Sequence, residues 1–182
     1  MAQQAPFHGT PHSIPGKIQA EDFDLGGEGV AYHDEDAANN GGAYRPNAGV
    51  DIEATSEGDF NIGWIRPHEW AEYTVNVSQE GLYKINVRIA ASNSEGSFHL
   101  QLDGEDFTGS QATPVTGGWQ TWTTIEINDI FLAPGEKILR WFSETAGYNV
   151  SYFDFVLVSD SDPPVVAITS PEDKADFYLG DT

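Results

Sequence analysis

"WAEYTVNVSQEGLYKINVRIAAS", residues 70–92, carries the plainest structural signal in the chain. Apolar and polar residues alternate one for one in "EYTVNV" and again in "YKINVRI". That period of two belongs to a β-strand with one buried and one wet face. Working outward, β-rich runs recur at roughly eight- to twelve-residue intervals, cut by Gly and Pro, a spacing characteristic of sandwiches and barrels. "KIQAEDF" (17–23), "VDIEA" (50–54), "FNIGWI" (60–65), "SFHLQLD" (97–103), "QTWTTIEI" (120–127), "KILRWFSE" (137–144) and "NVSYFDFVLV" (149–158) read as further strands. Nothing keeps a helical period for longer than a turn. The fold class is all-β, a β-sandwich of jelly-roll type. Residues 1–13 read as an N-terminal tail and 14–159 as the sandwich module.

The chain has 182 residues with 29 acidic and 8 basic side chains, a formal charge of −21. Nucleic acid, anionic membranes and polyanionic glycans all require a basic footprint, so none of them is expected as a partner. So acidic a surface suits a saline, even marine, setting, where salt screens the repulsion. With no cysteine, disulfides, thiolate nucleophiles and Cys-based zinc sites are excluded. No apolar run reaches the roughly 18 residues of a membrane span. "MAQQAPFHGTPHS" lacks the charged and apolar regions of a signal peptide. The chain is therefore either cytosolic or a piece of a longer secreted protein, and the other end favours the second. There "SDSDPP" has linker composition. "PPVVAITSPEDKADFYLGD" then resembles the opening strand of a bacterial Ig-like module. Residues 160–182 accordingly read as a linker and the truncated start of such a module.

Catalytic signatures are missing: no G-x-S-x-G elbow, no H-E-x-x-H, no phosphate-binding loop and no dinucleotide fingerprint. "YHDEDAANN" (32–40) reads as a solvated acidic loop whose adjacent acids point apart. The aromatics say more. Tryptophans stand at 64, 70, 119, 122 and 141. In "GGWQTWTT" an odd separation puts Trp119 and Trp122 on opposite faces of a strand. Trp119, next to the Gly-Gly turn, is then the exposed one, and Trp122 fills the interior. An exposed indole at a strand-to-loop edge is what stacking against the flat C–H face of a pyranose requires. Trp70 is open to either sheet packing or an exposed role.

Four stretches in order, "IQAEDFD", "NIGWIRPHEWAEYTVNV", "GGWQTWTT" and "GYNVSYFDFVLV", resemble a family 6 carbohydrate-binding module. The resemblance runs from about Ile14 to Ser159. The long segment between the first two is similar to the extended form found in agarases, laminarinases and related polysaccharide-degrading enzymes. The resemblance implies a jelly roll with a ligand cleft in the loops at one edge, and in some members a second site on the concave face. It implies a stacking pair at Trp64 and Trp119. Asn149 would be the polar partner, its amide offering donor and acceptor to a sugar hydroxyl pair. Tyr32, His33 and Asp34 fall in the loop that closes the pocket in relatives. It further implies a structural calcium on Gln19 and Glu21; Ser151 replaces the usual last-strand ligand, so Asp154 or a residue from the long insertion is expected to take its place.

The function expected from this reading is non-catalytic. The module would target a secreted bacterial polysaccharide-degrading enzyme to a neutral β-linked polysaccharide, agarose or β-1,3-glucan first. Closure by the 30–45 loop would favour chain ends. The partners are the polysaccharide or oligosaccharide and the appended catalytic and Ig-like domains, and the module itself is expected to be a monomer. The alternatives are an adhesion module that meets another protein and a glycoside hydrolase on the same fold, the latter needing a carboxyl pair beside the indoles.

Overall fold

The computed structural model of the chain describes residues 3–160. Thirteen strands are defined: β1 (His12–Ile14), β2 (Gly16–Gln19), β3 (Tyr32–His33), β4 (Ile52–Ala54), β5 (Phe60–Ile62), β6 (Trp70–Val77), β7 (Gly81–Ala90), β8 (Gly96–Leu102), β9 (Glu105–Asp106), β10 (Gln111–Thr113), β11 (Trp122–Leu132), β12 (Gly135–Thr145) and β13 (Asn149–Asp160). One 3-10 turn at Ala20–Asp22 is the only helical element among the described residues. One sheet runs β1-β6-β12-β8-β10, with β3 on β6 and β9 on β8. The other runs β11-β7-β13-β5-β4, with β2 on β13. The expected sandwich is there. Its two best-patterned strands, β6 and β7, belong to different sheets, so Ser78–Glu80 carries the chain from one layer to the other.

In β7 the alternation holds as read: Tyr83, Ile85, Val87 and Ile89 are fully buried, with Lys84, Asn86 and Arg88 between them. β6 departs from it. Glu72 and Thr74, expected on a wet face, are 7% and 6% exposed. The reason is the N-terminal segment. Ala5 pairs with Leu25, and Gln4 Nε2 donates to Asp24 Oδ2 (3.0 Å) and Glu72 Oε2 (2.9 Å). Asp24 in turn accepts from Thr74 N (3.0 Å) and Thr74 Oγ1 (2.6 Å). From residue 3 the stretch expected as a tail therefore packs on the sandwich, and its His12–Ile14 forms a strand parallel to β6. Between the sheets lies one core built on Trp141, Tyr73, Tyr83, Phe23, Phe98, Phe153 and Phe155. The 160–182 stretch expected as linker and Ig-like start lies outside the described residues, save for Asp160.

Candidate functional site

The strands that matter for the site end at one edge of the sandwich. Trp64 comes from the β5–β6 loop, Trp119 from the β10–β11 loop, Glu53 from β4 and Asn149 from the first position of β13. All four line one cleft of about 490 Å³, closed further by Asn93, Ser94, Ala146, Gly147 and Tyr148. That volume is in the range of small-molecule sites. Trp64 and Trp119 are 50% and 47% exposed, the largest indole surfaces on offer. Trp64 also holds a backbone φ of 51°, a left-handed conformation that a bulky residue adopts rarely and at a cost. Its neighbours supply the constraint. Gly63 N donates to Asp51 O (2.9 Å), and Arg66 N donates to Glu69 Oε2 (2.8 Å).

Below the indoles lies a polar floor. Asn149 is 3% exposed. Its Nδ2 donates to Glu53 Oε1 (3.1 Å) and to Trp119 O (3.0 Å). Two acceptors fix the amide's orientation, so the nitrogen is committed to the protein, and Oδ1 is the atom left for a ligand. This narrows the expectation that Asn149 both donates and accepts. A Cβ on Gly63 would stand 3.1 Å from that Oδ1, so the glycine keeps the acceptor accessible. Glu53 Oε1 also takes Gln120 Nε2 (2.9 Å) and Asn61 Nδ2 (3.4 Å). Its Oε2 takes no donor among the described residues. Glu53 was missed in the sequence, where the available signal was one of two acids alternating with apolar residues in the short run "VDIEA".

The other expected ligand-binding residues are elsewhere. Tyr32 and His33 form β3, paired with Ala71 and Trp70 in the opposite sheet from β4 and β13. Tyr32 is core, its ring edge-on to Phe23 and its hydroxyl accepting from Gly49 N (2.9 Å). His33 pairs with Glu28. Asp34 joins Asp36 and Asp51, whose carboxylate oxygens all lie within 4.8 Å of one another. Asp34 and Asp36, two positions apart, converge with Asp51, which enters just before β4, while Glu35 between them is outside the group. Burial first, then Glu69, Asp51 and Asp36, push Asp34 up to about 7. None of Tyr32, His33 and Asp34 lines the cleft.

Trp122 is half-buried at the start of β11, opposite Ala90 and on the same side as Thr124 and Glu126. It is not interior. The odd-separation argument failed because Trp119 sits in the turn before β11, where strand alternation does not operate. Trp70 carries the Arg140 guanidinium 4.1 Å above its ring, and Arg140 also grips Glu72.

The expected metal ligands divide. Gln19 Oε1 and Glu21 Oε2 are both buried with no hydrogen-bond partner. Burial, and then the like charges of Asp22 and Asp59, push Glu21 up to about 8. Asp59 is close by, since its Oδ2 accepts from Gln19 Nε2 (2.7 Å). Two orphaned oxygens beside further carboxylates fit a hard cation such as calcium. Asp154 has other company. It stands opposite Lys17 on β2 and takes Asn86 Nδ2 (3.5 Å) from β7, on the other side of β13. Asp59 is therefore the better third oxygen donor.

Comparison with known proteins bears on the same residues. The profile of the carbohydrate binding module (family 6) matches residues 40–157. The clotting factor G alpha subunit of Tachypleus tridentatus is 27% identical over 122 residues, 65% of this chain and 18% of that protein. This chain thus spans under a fifth of that curated relative's length. Among solved structures, the C-terminal family 6 module of LamC, a marine laminarinase from Zobellia galactanivorans, is 28% identical, with a TM-score of 0.62 over 77% of this chain and 97% of that one. A family 6 module of Cellvibrio mixtus lichenase 5A, in complex with cellotriose, is 27% identical, with a TM-score of 0.61 over 80% of this chain and 99% of that one.

Proposed function

The chain belongs to family 6 of the carbohydrate-binding modules, a non-catalytic family, and on that premise we propose that its edge cleft grips a neutral β-linked polysaccharide between Trp64 and Trp119. β-1,3-glucan stands first and agarose second. The observation that carries this reading is the pair of half-exposed indoles on one cleft above an acceptor floor. If the two walls bury about 200 Å² of apolar surface, the gross gain is about 5 kcal/mol. Ordering losses leave affinities of roughly millimolar to micromolar. Sugar hydroxyls supply the donors, toward Asn149 Oδ1 and Glu53 Oε2. The only carboxylate lining the cleft among the described residues is Glu53, which speaks against a hydrolytic pair and against uronic acid ligands. The similarity to a module of a laminarinase favours β-1,3-glucan. The 30–45 loop, expected to close the pocket over chain ends, does not line the cleft.

The module would serve a larger secreted bacterial enzyme. A structural calcium on Gln19, Glu21 and Asp59 would neutralise their charge and tie the end of β2 to the β4–β5 loop. The binding reading is tested by calorimetry and affinity gels with laminarin, agarose, xylan and alginate. We expect laminarin or agarose to bind, alginate not to bind, and Trp119→Ala to cost about thirtyfold or more, as hot-spot aromatics do. Binding that survives Trp64→Ala and Trp119→Ala together would overturn it.

A further inference from the structure

Trp119 follows a turn, Gly117–Gly118, that is tied on its N-terminal side to Ala91 through Gly117 N (3.1 Å) and closed by Thr121 N donating to Gly118 O (3.1 Å). Gly117 has a φ of 90°, and a Cβ there would meet nothing within 4 Å. Those bonds hold the backbone before the indole but not the side facing the β4–β5 loop, and a stacking wall free on that side would lose part of its binding energy to ordering at each encounter. The residue after the indole removes that freedom. Gln120 Nε2 donates to Glu53 Oε1 (2.9 Å) and to Asn61 Oδ1 (3.2 Å), while Gln120 Oε1 accepts from Ser56 N (2.8 Å). Ser56 Oγ donates to the Gln120 carbonyl (3.2 Å), and Asn149 Nδ2 holds the Trp119 carbonyl. The β4–β5 loop that receives this clamp is itself fixed, because Arg88 grips Glu57 and reaches Thr124 Oγ1 (3.1 Å).

We propose that Gln120, which does not line the cleft, is the positioning residue that presets both Trp119 and Glu53 for the sugar. The inference rests on the binding reading above. The chemistry demanded of the side chain is narrow: two donors for two acceptors on one side, and one acceptor for a backbone N–H on the other. A primary amide of glutamine length meets it, while a carboxylate or an alkyl chain does not. The clamp joins the stacking wall to the acceptor floor. It thereby sets the depth at which a pyranose meets hydroxyl acceptors while it lies on the indole.

The test compares the wild type with Gln120→Ala and Gln120→Glu in two ways. The first readout needs no ligand. Nitrogen-15 relaxation of the Trp119 indole and the 117–121 amides should fall from the order of rigid backbone, about 0.85, to below about 0.6 in Gln120→Ala. Affinity for laminarin or agarose, whichever the wild type binds, should weaken by about tenfold. In Gln120→Glu the carboxylate faces Glu53 Oε1 and Asn61 Oδ1, so order is lost at neutral pH. It should return in part in acid solution, where the introduced carboxyl, held above the ordinary glutamate range by the facing Glu53, takes up a proton and can donate one bond. A Trp119 that stays ordered in both variants overturns the proposal. So does wholesale unfolding of both, which would make Gln120 a stability residue. If the wild type binds no glycan while the relaxation changes appear, the binding reading fails and the clamp stands. If it binds and the order is unchanged, the clamp fails and the binding reading stands.

Discussion

At the scale of single residues, the cleft turns on which atoms are already taken. Asn149 Nδ2 faces Glu53 Oε1 and Trp119 O at 3.1 and 3.0 Å. Asn149→Asp is close to isosteric, yet it sets an acceptor against two acceptors in a buried place. It should lower glycan affinity at neutral pH by at least about tenfold and by more than Asn149→Ala does. Calorimetry on both variants decides this, and equal losses would show that the donated bonds are unimportant. Trp64, Trp119 and Asn149 were legible in the sequence because motif and turn place them without knowledge of the fold's interior. Glu53 and Gln120 were not, because their importance comes from meeting each other across 67 residues. The place of Asp154 was not legible for a related reason: strand pairing does not say which neighbouring strand a side chain leans toward.

At the scale of elements, period-two runs such as β7 were readable because each buried residue answers to the same core. The long 34–51 segment was not, since its path is set by contacts with distant groups. Arg45, for example, lies 3.6 Å over the Phe23 ring and donates to the carbonyls of Phe23 and Asp24. Burial pushes this guanidinium down to about 10. The same segment brings Asp34, Asp36 and Asp51 together and gives the molecule a pH dependence. Asp34 is raised from 3.8 to about 7, Glu21 in the 3-10 turn after β2 to about 8, and Glu69 is raised as well, burial being the first cause for all three. A carboxyl raised on folding keeps its proton where the unfolded chain has lost it, so stability increases as pH falls from above 7 toward 4. Glu57 and Glu144 are lowered and act with the opposite sign, but only in more acid solution. Between pH 8 and pH 5 the melting temperature should therefore rise, and Asp34→Asn should reduce that slope, leaving the part that Glu21 contributes. An unchanged slope would remove the cluster as its source.

For the whole molecule, the unpartnered oxygens of Gln19 and Glu21 sit where β2 turns into the 3-10 segment against β5 and β13. A calcium there would bind the folded state alone. At a hundredfold excess over its dissociation constant it would add about 2.7 kcal/mol, or roughly 5–10 °C in melting temperature for a domain of this size. Chelator should abolish the shift, and Glu21→Gln should make the protein indifferent to both. A wild-type melt unmoved by calcium or chelator would sink the assignment. β13 adds a consequence of a mechanical kind. It begins at Asn149 in the cleft and ends at Asp160, roughly 36 Å away at the usual rise per residue. A pull between a captured glycan and whatever follows Asp160 would run lengthwise down this strand, against the ladders to β7 and β2. Those rungs would be loaded in parallel, as in shear, and not peeled one after another, so the grip would be anchored to its tether by a strand that pairs with β7 from end to end.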